Sequence, residues 1–428
     1  MPSSIKLPPM TLRQGDAVDR ILDFLASPTQ RSFLLAGYAG TGKTFCLQHL
    51  VKQAKGRMIF TAPTNKATKV LRETLSNDEY KPQCKTIHSL LGLRLEPNGE
   101  IKELTVPEDP VDLTSYSLVI VDEASMVNAQ LLSFIISTMG QFPALKFLFL
   151  GDPAQLPPVK ELRSPVWDWV GGKVELTEVM RNSGPILDFS AVIRGKVNHP
   201  AASVSFVSNN DGELGVWACS DREFREAFLC QPSLDMLAAP GRAKLIAWRN
   251  VTVDSFNRLV RSRLFHSHAE KPWLVGDRVV LTEPAKDLDG KFIAVTDDEG
   301  CVTRVDEQFH PVWKEFKVWR VSVTTDENTP ITLFVLHAAS DRDYKLRVDQ
   351  LAREAKAAPR KWATFWDFKD SFHQLRHAYA ITAHRSQGST YETAFVNWRD
   401  ILLNRNRQEA MRCLYVAASR PKKELYLG

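Results

Sequence analysis

The sequence has few cysteines and no long apolar run, and each absence excludes a class of protein. Its six cysteines are scattered, at positions 46, 84, 219, 230, 301 and 413, and no two form a C-x-x-C pair. A zinc ribbon or a dithiol redox motif is therefore not expected, and free thiols in a reducing cytoplasm are the simplest interpretation. No stretch approaches about 18 uninterrupted apolar residues, and residues 1–10 lack the apolar core of a secretory signal, so neither a membrane span nor export is predicted.

The net charge is also small, at +5 from 55 basic and 50 acidic residues. This balance permits a local basic groove for nucleic acid but does not argue for one. The 428 residues are 44% hydrophobic and 25% charged, which is ordinary for a globular enzyme. A chain of this length predicts two or more domains.

Residues 37–44 read G-x-x-x-x-G-K-T, between a predicted buried strand at 31–36 and a helical pattern at 45–52. Glycines let such a loop curl so that its backbone N–H groups point at phosphate oxygens, and the following helix adds its positive end. Lys43 is expected at the β and γ phosphates of ATP, and Thr44 on Mg²⁺. A chance glycine-rich turn is the alternative, which the flanking strand and helix disfavour. The residues expected to bind nucleotide here are Gly37, Ala39, Gly40, Thr41, Gly42, Lys43, Thr44 and Phe45.

Two further apolar runs, at 117–121 and 146–150, end in polar groups. The first leads into Asp122 and Glu123, for which we predict Mg²⁺ binding and activation of the attacking water respectively. The second leads to Gln155, which is expected to sense the γ-phosphate. An isolated Asp-Glu pair is more often a solvated turn, but a P-loop upstream favours a catalytic site. With a strand at 58–62, these runs predict a mostly parallel sheet whose carboxyl edge carries the site.

Five more segments complete an ordered set of motifs: Pro63–Ala67, Thr86–Leu90, Leu176–Arg181, Ala380–Thr390 and Leu414–Arg420. Together with the P-loop and the strand-end acids they resemble superfamily 1 helicases, and more narrowly the Dda and RecD-like branch. The resemblance covers nearly the whole chain. Single motifs are moderately specific, whereas the ordered set is highly specific.

The resemblance assigns further nucleotide contacts. Gln14 is similar to the glutamine that reads adenine, although an ordinary helix-start residue is the alternative. Arg181 would deliver positive charge to the γ-phosphate, and Arg420 would act as an arginine finger. A surface salt bridge is the alternative for each arginine. Gln387 and Gly388 would approach the nucleotide or its sensor.

The resemblance also implies contacts with a nucleic-acid strand. Thr64, Asn65 and His88 are candidates in the first half of the chain, with a helix cap as the alternative for Thr64. Thr382 and His384 are candidates in the second half.

Alternating residues at 93–104 flank Asn98-Gly99, which predicts a β-hairpin. In the related branch a hairpin here acts as a pin that splits the duplex. Residues 93–110 contain no aromatic side chain, so Pro97 and Asn98 would form a blunt obstacle, unless the segment is a simple edge hairpin.

A second insertion contains predicted strands at 275–281, 292–296, 315–321 and 331–335, which by resemblance form an SH3-like barrel. The aromatic segment 361–372 is expected to pack as a rigid arm rather than to stack on bases. His373 and His377 are interpreted as ordinary histidines on a helix.

The expected fold class is α/β, with two RecA-like P-loop NTPase motor domains. The first comprises residues 1–88 and 112–172, with the hairpin at 89–111 inserted. The second comprises 173–262 and 373–428, with the barrel and arm at 263–372 inserted.

The expected function is an ATP-dependent, Mg²⁺-requiring DNA helicase that moves 5′→3′ on single-stranded DNA and opens forked duplex. Replication, recombination or repair, with possible replication or recombination proteins as partners, action as a monomer, and the cytoplasm of a bacterium or phage-infected host are further expectations. An ATP-gated binding switch is the alternative, but it would not need Glu123, Arg181 or Arg420. A small-molecule kinase would be much shorter and would lack the motifs around His384 and Arg420.

Overall fold

The computed structural model describes residues 8–77, 80–98, 100–106, 111–178, 184–199, 203–210 and 214–428. Within these residues, the strands in chain order are β1 (Ser32–Gly37), β2 (Met58–Ala62), β3 (Cys84–Thr86), β4 (Arg94–Asn98), β5 (Ile101–Thr105), β6 (Leu118–Val121), β7 (Lys146–Gly151), β8 (Gly172–Leu176), β9 (Asn209–Asn210), β10 (Gly215–Ala218), β11 (Ala243–Ala247), β12 (Arg278–Leu281), β13 (Ala285–Lys286), β14 (Phe292–Ala294), β15 (Glu299–Phe309), β16 (Lys317–Thr325), β17 (Pro330–Leu336), β18 (Leu375–His377), β19 (Ala380–Thr382), β20 (Tyr391–Val396) and β21 (Pro421–Leu427). The α-helices are α1 (Leu12–Ala26), α2 (Lys43–Gln53), α3 (Asn65–Leu75), α4 (Ile87–Leu90), α5 (Ala129–Gln141), α6 (Val166–Trp169), α7 (Pro185–Val197), α8 (Asp221–Leu229), α9 (Gln231–Ala238), α10 (Asn250–Phe265), α11 (Asp341–Ala357), α12 (Trp362–Asp370), α13 (Ala383–Ser386), α14 (Trp398–Ile401) and α15 (Arg407–Ala418).

The first sheet is entirely parallel, in the order β3-β2-β6-β7-β1-β8. Strands β1, β6 and β7 are buried almost throughout, because helices cover both faces of the sheet. This explains their continuous apolar runs and confirms the predicted parallel sheet. Strand β8 pairs with β1, so the domain boundary predicted at residue 173 cuts through this sheet.

The second sheet has the order β19-β11-β20-β21-β10-β9 and is parallel except for the antiparallel pair β9–β10. Helices α7, α14 and α15 contribute to the apolar core on one face, and α8, α9 and α10 to the core on the other. Both parallel sheets therefore direct the carboxyl ends of their strands toward loops and helix starts, which is where ligands bind in α/β folds.

The segment between β11 and β19, which is inserted within the second half of the chain, forms a five-stranded antiparallel sheet in the order β17-β16-β15-β12-β18. Strand β14 pairs instead with β13 in a separate hairpin. Strand β18 contradicts the helix predicted through His373 and His377: Val279 of β12 pairs with His377, and the buried His373 lies just before β18. The pairing of β18 with β12, and not the i, i+4 spacing of the two histidines, therefore determines the backbone conformation here.

The predicted hairpin is present as the antiparallel pair β4–β5, with Asn98 opposite Ile101. Helices α11 and α12 lie beside it and contact it. Phe365, Phe368 and Phe372 of the aromatic segment are buried in one cluster, which confirms packing rather than a freely exposed stacking surface. Across the described residues, no helix is both long and apolar enough to cross a membrane.

Candidate functional site

The P-loop connects β1 to α2 and depends on two glycines with left-handed backbones. Gly40 has φ +78° and Gly42 has φ +85°, a region that side-chain-bearing residues rarely adopt. Gly42 caps the N-terminus of α2, so the positive end of this helix faces the loop. The Lys43 Nζ atom donates to the carbonyl oxygens of Gly37 at 2.6 Å and Tyr38 at 3.1 Å. The ammonium therefore lies against the backbone of the loop that is predicted to bind the phosphates.

Gln14 lies directly against this loop and is only 2% exposed. Its Nε2 atom donates to the carbonyl oxygen of Thr41 at 3.2 Å, and its Oε1 accepts from the backbone N–H of Thr11 at 3.1 Å. The second bond belongs to a capping box at the start of α1, which confirms the helix-start alternative for Gln14. A Cβ on Gly42 would lie 2.4 Å from Gln14 Nε2, which shows how closely the two segments approach. Recognition of adenine by Gln14 stays a prediction.

Asp122 and Glu123 follow β6 at the carboxyl edge of the first sheet. Glu123 has φ +52°, a conformation that costs free energy in a residue with a side chain, and its backbone N–H donates to Asp122 Oδ1 at 2.9 Å. The pKa of Glu123 is raised to about 7, mainly by burial and also by the neighbouring Asp122 charge, while Arg420 and Lys43 act in the opposite direction. Burial also raises the pKa of Asp122, against the effect of the Glu123 N–H and Lys43. A carboxyl group with a pKa near neutrality suits proton transfer.

Asp122 and Thr44 provide a carboxylate and a hydroxyl oxygen beside the P-loop. Hard divalent cations such as Mg²⁺ prefer oxygen ligands and commonly take one or two from protein and the rest from phosphates and water. These two side chains therefore fit the predicted metal.

Residues from the two halves of the chain are in direct contact near the P-loop. Gln387 lies just after α13 in the second half of the chain, and its Nε2 donates to Gln155 Oε1 at 3.1 Å and to Ser125 Oγ at 3.2 Å. Gly388 has φ +73°, and a Cβ there would lie 3.0 Å from the Cβ of Ala67 in α3. The predicted sensor Gln155 and the predicted Gln387 are thus brought into direct contact.

Arg420 lies at the end of the α15 segment and is 8% exposed. Its guanidinium donates to the carbonyl oxygens of Val416 at 3.0 Å and Ser389 at 3.2 Å and to Ser419 Oγ at 3.0 Å. It is therefore not a surface salt bridge, and its positive charge lowers the pKa of Glu123, which lies in the first half of the chain. The other predicted arginine, Arg181, lies outside the described residues.

The candidate strand-contacting residues divide into two groups. Thr64 and Thr382 cap helices, since their hydroxyls accept from backbone N–H groups at 3.2 Å in α3 and 3.4 Å in α13. Asn65 and His384 are exposed, and His384 Nε2 lies 3.3 Å from Glu409 Oε1. His88 is partly buried, which lowers its pKa, and it is hydrogen-bonded to the backbone of Pro63. The cap alternative is therefore confirmed for Thr64, while strand contact stays a prediction for all five.

At the end of the β4–β5 hairpin, Asn98 is exposed and its Nδ2 donates to Glu103 Oε2 at 2.8 Å. Pro97 is paired in register with Lys102 of β5. The hairpin predicted around these two residues is confirmed as a structure.

Sequence reasoning missed several residues that join the two halves. Tyr415 lies inside the motif Leu414–Arg420, and Asp152 lies between the apolar run 146–150 and Gln155, so position along the chain was an available signal for both. No sequence pattern around Arg412 or Glu299 indicated that either residue would join the two halves of the chain. Glu299 of β15 is ion-paired with Lys66 of α3 and Lys244 of β11, at 2.6 and 2.8 Å. One carboxylate therefore links the first parallel sheet, the second parallel sheet and the antiparallel sheet.

Fold and site together define a P-loop ATPase motor, in which a parallel sheet with a P-loop and strand-end acids faces a second parallel sheet. The family model described as "AAA domain" matches residues 11–211, and the model described as "UvrD-like helicase C-terminal domain" matches residues 377–427.

The relatives agree with this class. The chain is 27% identical to the ATP-dependent DNA helicase dda of Enterobacteria phage T4, over 91% of this chain and 92% of that protein. It is 30% identical to the ATP-dependent RecD2 DNA helicase of Deinococcus radiodurans over 35% of this chain and 19% of that protein. The Pif1 helicase from Bacteroides, in complex with ADP-AlF3 and single-stranded DNA, has a similar fold, with a TM-score of 0.51, 18% identity and coverage of 98% of this chain and 92% of that chain. The similarity to dda over nearly the whole chain, together with the two family models, supports a superfamily 1 helicase, and the Pif1 structure shows the same fold.

Proposed function

We propose that this ATP-dependent DNA helicase moves 5′→3′ along single-stranded DNA and opens forked duplex against the β4–β5 hairpin. The observation that best supports an ATP-driven motor is the hydrogen bond between Gln387 and Gln155, which joins the two halves of the chain beside the P-loop. The polarity is inferred from the resemblance to the Dda and RecD-like branch. Action as a monomer, in replication, recombination or repair, is inferred from the same resemblance.

The ATP site would work through residues of both sheets. Asp122 and Thr44 would hold Mg²⁺, and the bound ion would supply neutralisation of the phosphate charge. Glu123 would orient the attacking water and accept its proton. Lys43 and Arg420 would stabilise the negative charge of the transferred phosphoryl group.

Loss of the γ-phosphate would change the contacts that hold the cleft. Gln155 is hydrogen-bonded to Gln387, and Gly388 lies close to α3. A movement of Gln155 would therefore displace residues of the second half of the chain directly. A strand lying across both sheets, near the exposed Asn65 and His384, would then be moved stepwise.

The hairpin is braced in a way that suits a fixed obstacle. Lys102 Nζ of β5 bonds both carboxylate oxygens of Asp370, at 2.6 and 2.8 Å, and lies 4.6 Å from the ring centroid of Trp366 in α12. Near the end of the hairpin, Glu100 pairs with Lys356 of α11 at 2.6 Å. A hairpin attached to the arm at two points would resist displacement by an advancing duplex.

The deciding experiment compares two tailed DNA duplexes, one with a 5′ single-stranded overhang and one with a 3′ overhang, with Lys43→Ala as the control. We expect ATP-dependent separation of the 5′-tailed duplex alone and no activity of the control, because its phosphate contact is removed. Separation of the 3′-tailed duplex alone would refute the polarity. If neither duplex opens while single strands still stimulate ATP hydrolysis, strand separation by the hairpin is refuted. If strands bind in an ATP-dependent manner without turnover, the binding-switch alternative holds.

A further inference from the structure

Helix α15 of the second half of the chain contacts the P-loop of the first through one buried tyrosine. Tyr415 is 1% exposed, and its hydroxyl donates to Asp152 Oδ2 at 2.5 Å and accepts from the backbone N–H of Ala39 at 3.0 Å. Asp152, which is completely buried, also accepts from the Ala39 N–H at 3.1 Å. Burial raises the pKa of Tyr415, so its phenol keeps the proton that it donates. The Tyr415 hydroxyl, the Asp152 carboxylate and the Ala39 N–H are thus each hydrogen-bonded to the other two.

The same helix also binds the loop that presents Gln155. Arg412 lies about one turn before Tyr415, and its Nη1 donates to the carbonyl oxygens of Pro153 at 2.8 Å and Gln155 at 2.5 Å. Asp152 Oδ1 accepts from the backbone N–H of Ala154 at 2.8 Å, which orders the same loop from within. Residues 152–155 are therefore held by α15 at two places.

Arg420 follows the end of α15 at Ala418 and is hydrogen-bonded to Val416 of that helix. The position of its guanidinium relative to the phosphates consequently depends on where α15 sits against the P-loop. Misplacing a catalytic group by about 1 Å can cost roughly 100-fold in rate.

We propose that Tyr415 and Arg412 are positioning residues for ATP hydrolysis: they hold α15, and with it Arg420, in register with the P-loop and the Gln155 loop. This inference rests on the ATP site proposed above. Neither side chain needs to touch ATP, because Tyr415 acts through Asp152 and Ala39, and Arg412 acts through the backbone of residues 153 and 155.

The first test is Tyr415→Phe, which removes one hydroxyl and keeps the ring in the core. Asp152 retains the N–H groups of Ala39 and Ala154, so no buried carboxylate is left without partners. The chain offers a matched control in Tyr379→Phe. The Tyr379 hydroxyl also donates to a buried aspartate, Asp277, at 3.2 Å and accepts from a backbone N–H, that of Arg278, at 3.1 Å, but it lies outside the ATP site.

We expect Tyr415→Phe to lower the kcat of DNA-stimulated ATP hydrolysis roughly 10- to 100-fold, with a change in KM for ATP of less than about 2-fold. Tyr379→Phe should leave both constants near those of the wild type. If the two variants lose thermal stability equally and Tyr415→Phe keeps its kcat, the hydroxyl is only structural and the proposal is wrong.

The second test asks whether Tyr415 acts through Arg420. In an Arg420→Ala background, adding Tyr415→Phe should lower kcat no further, because the group that it positions is already gone. Equal losses in both backgrounds would overturn the proposal. Arg412→Lys should recover part of the activity that Arg412→Ala loses, since a lysine can still donate to the two carbonyls. These results are distinct from failure of the ATP site itself, which would appear as undiminished turnover in Lys43→Ala.

Discussion

Glu299→Gln should destabilise the protein strongly, because one carboxylate neutralises two lysines, Lys66 of α3 and Lys244 of β11. The Glu299 side chain is 8% exposed and Lys244 is 4% exposed, whereas Lys66 is 21% exposed. Arg278 adds a third positive charge at 3.6 Å. Glutamine keeps the size of glutamate but removes the charge, which would leave Lys244 buried beside like charges.

The expected loss in the free energy of unfolding follows from the burial of the ion pair. Removing one partner of a buried ion pair typically costs about 3–5 kcal/mol, since the remaining charge is left uncompensated. We expect a loss of this size in the free energy of unfolding for Glu299→Gln. Lys66→Met should cost only about 1–2 kcal/mol, because Lys66 is partly exposed and Glu299 would keep Lys244.

The assay is urea unfolding followed by tryptophan fluorescence and circular dichroism, with Glu307→Gln as the matched control. Glu307 lies in the same strand, β15, but is 41% exposed and pairs with Lys317 at the surface, so its loss should matter much less. If Glu299→Gln and Glu307→Gln unfold at the same urea concentration, the reasoning about the buried carboxylate is refuted.

The same cluster predicts a pH dependence of stability. Burial raises the pKa of Glu299, but Lys244 and Lys66 outweigh burial and hold that pKa well below its ordinary value of 4.5. The folded state therefore binds this proton less readily than the unfolded state does. Its contribution is complete above pH 4.5 and is lost as the pH falls below that value. Glu299→Gln should lose less stability on acidification than the wild type does.

Three further predictions concern activity. Arg420→Ala should lower kcat far more than it raises KM for ATP, since an arginine finger acts mainly in the transition state. A raised KM with an unchanged kcat would make Arg420 only a binding residue. Burial raises the pKa of Glu123 to about 7, and Glu123 must lose its proton to act as a base. We therefore expect kcat to rise with pH through that region and Glu123→Gln to abolish turnover. A flat profile of kcat between about pH 5.5 and about pH 8.5 would contradict this role. Asp370→Asn should weaken the bonds to Lys102 and lower the amount of duplex separated per ATP hydrolysed. ATP hydrolysis stimulated by single strands should stay near that of the wild type. Equal loss of both activities would show that the contact between Lys102 and Asp370 serves only folding.

Sequence patterns predicted best where the structure is local. The P-loop requires its glycines within eight residues of one another, and buried strands such as β1 and β7 show as continuous apolar runs. Strand β8 was missed because it lies at the edge of the sheet and only alternate residues are buried. The helix predicted through His373 and His377 was wrong because the pairing of β18 with β12 is set by residues about 100 positions away.

The sequence by itself determined the chemistry of this protein: phosphate-binding loop, acids at strand ends, hairpin turn and the order of the motifs. Such features depend on backbone conformation and side-chain type within a few residues. Only the tertiary structure decided which distant groups meet. The Tyr415 hydroxyl is 376 residues from the N–H of Ala39, and Lys66 is 233 residues from Glu299. These contacts arise from how three sheets pack together, because a hydrogen bond or an ion pair depends on distance in space and leaves no periodicity along the chain.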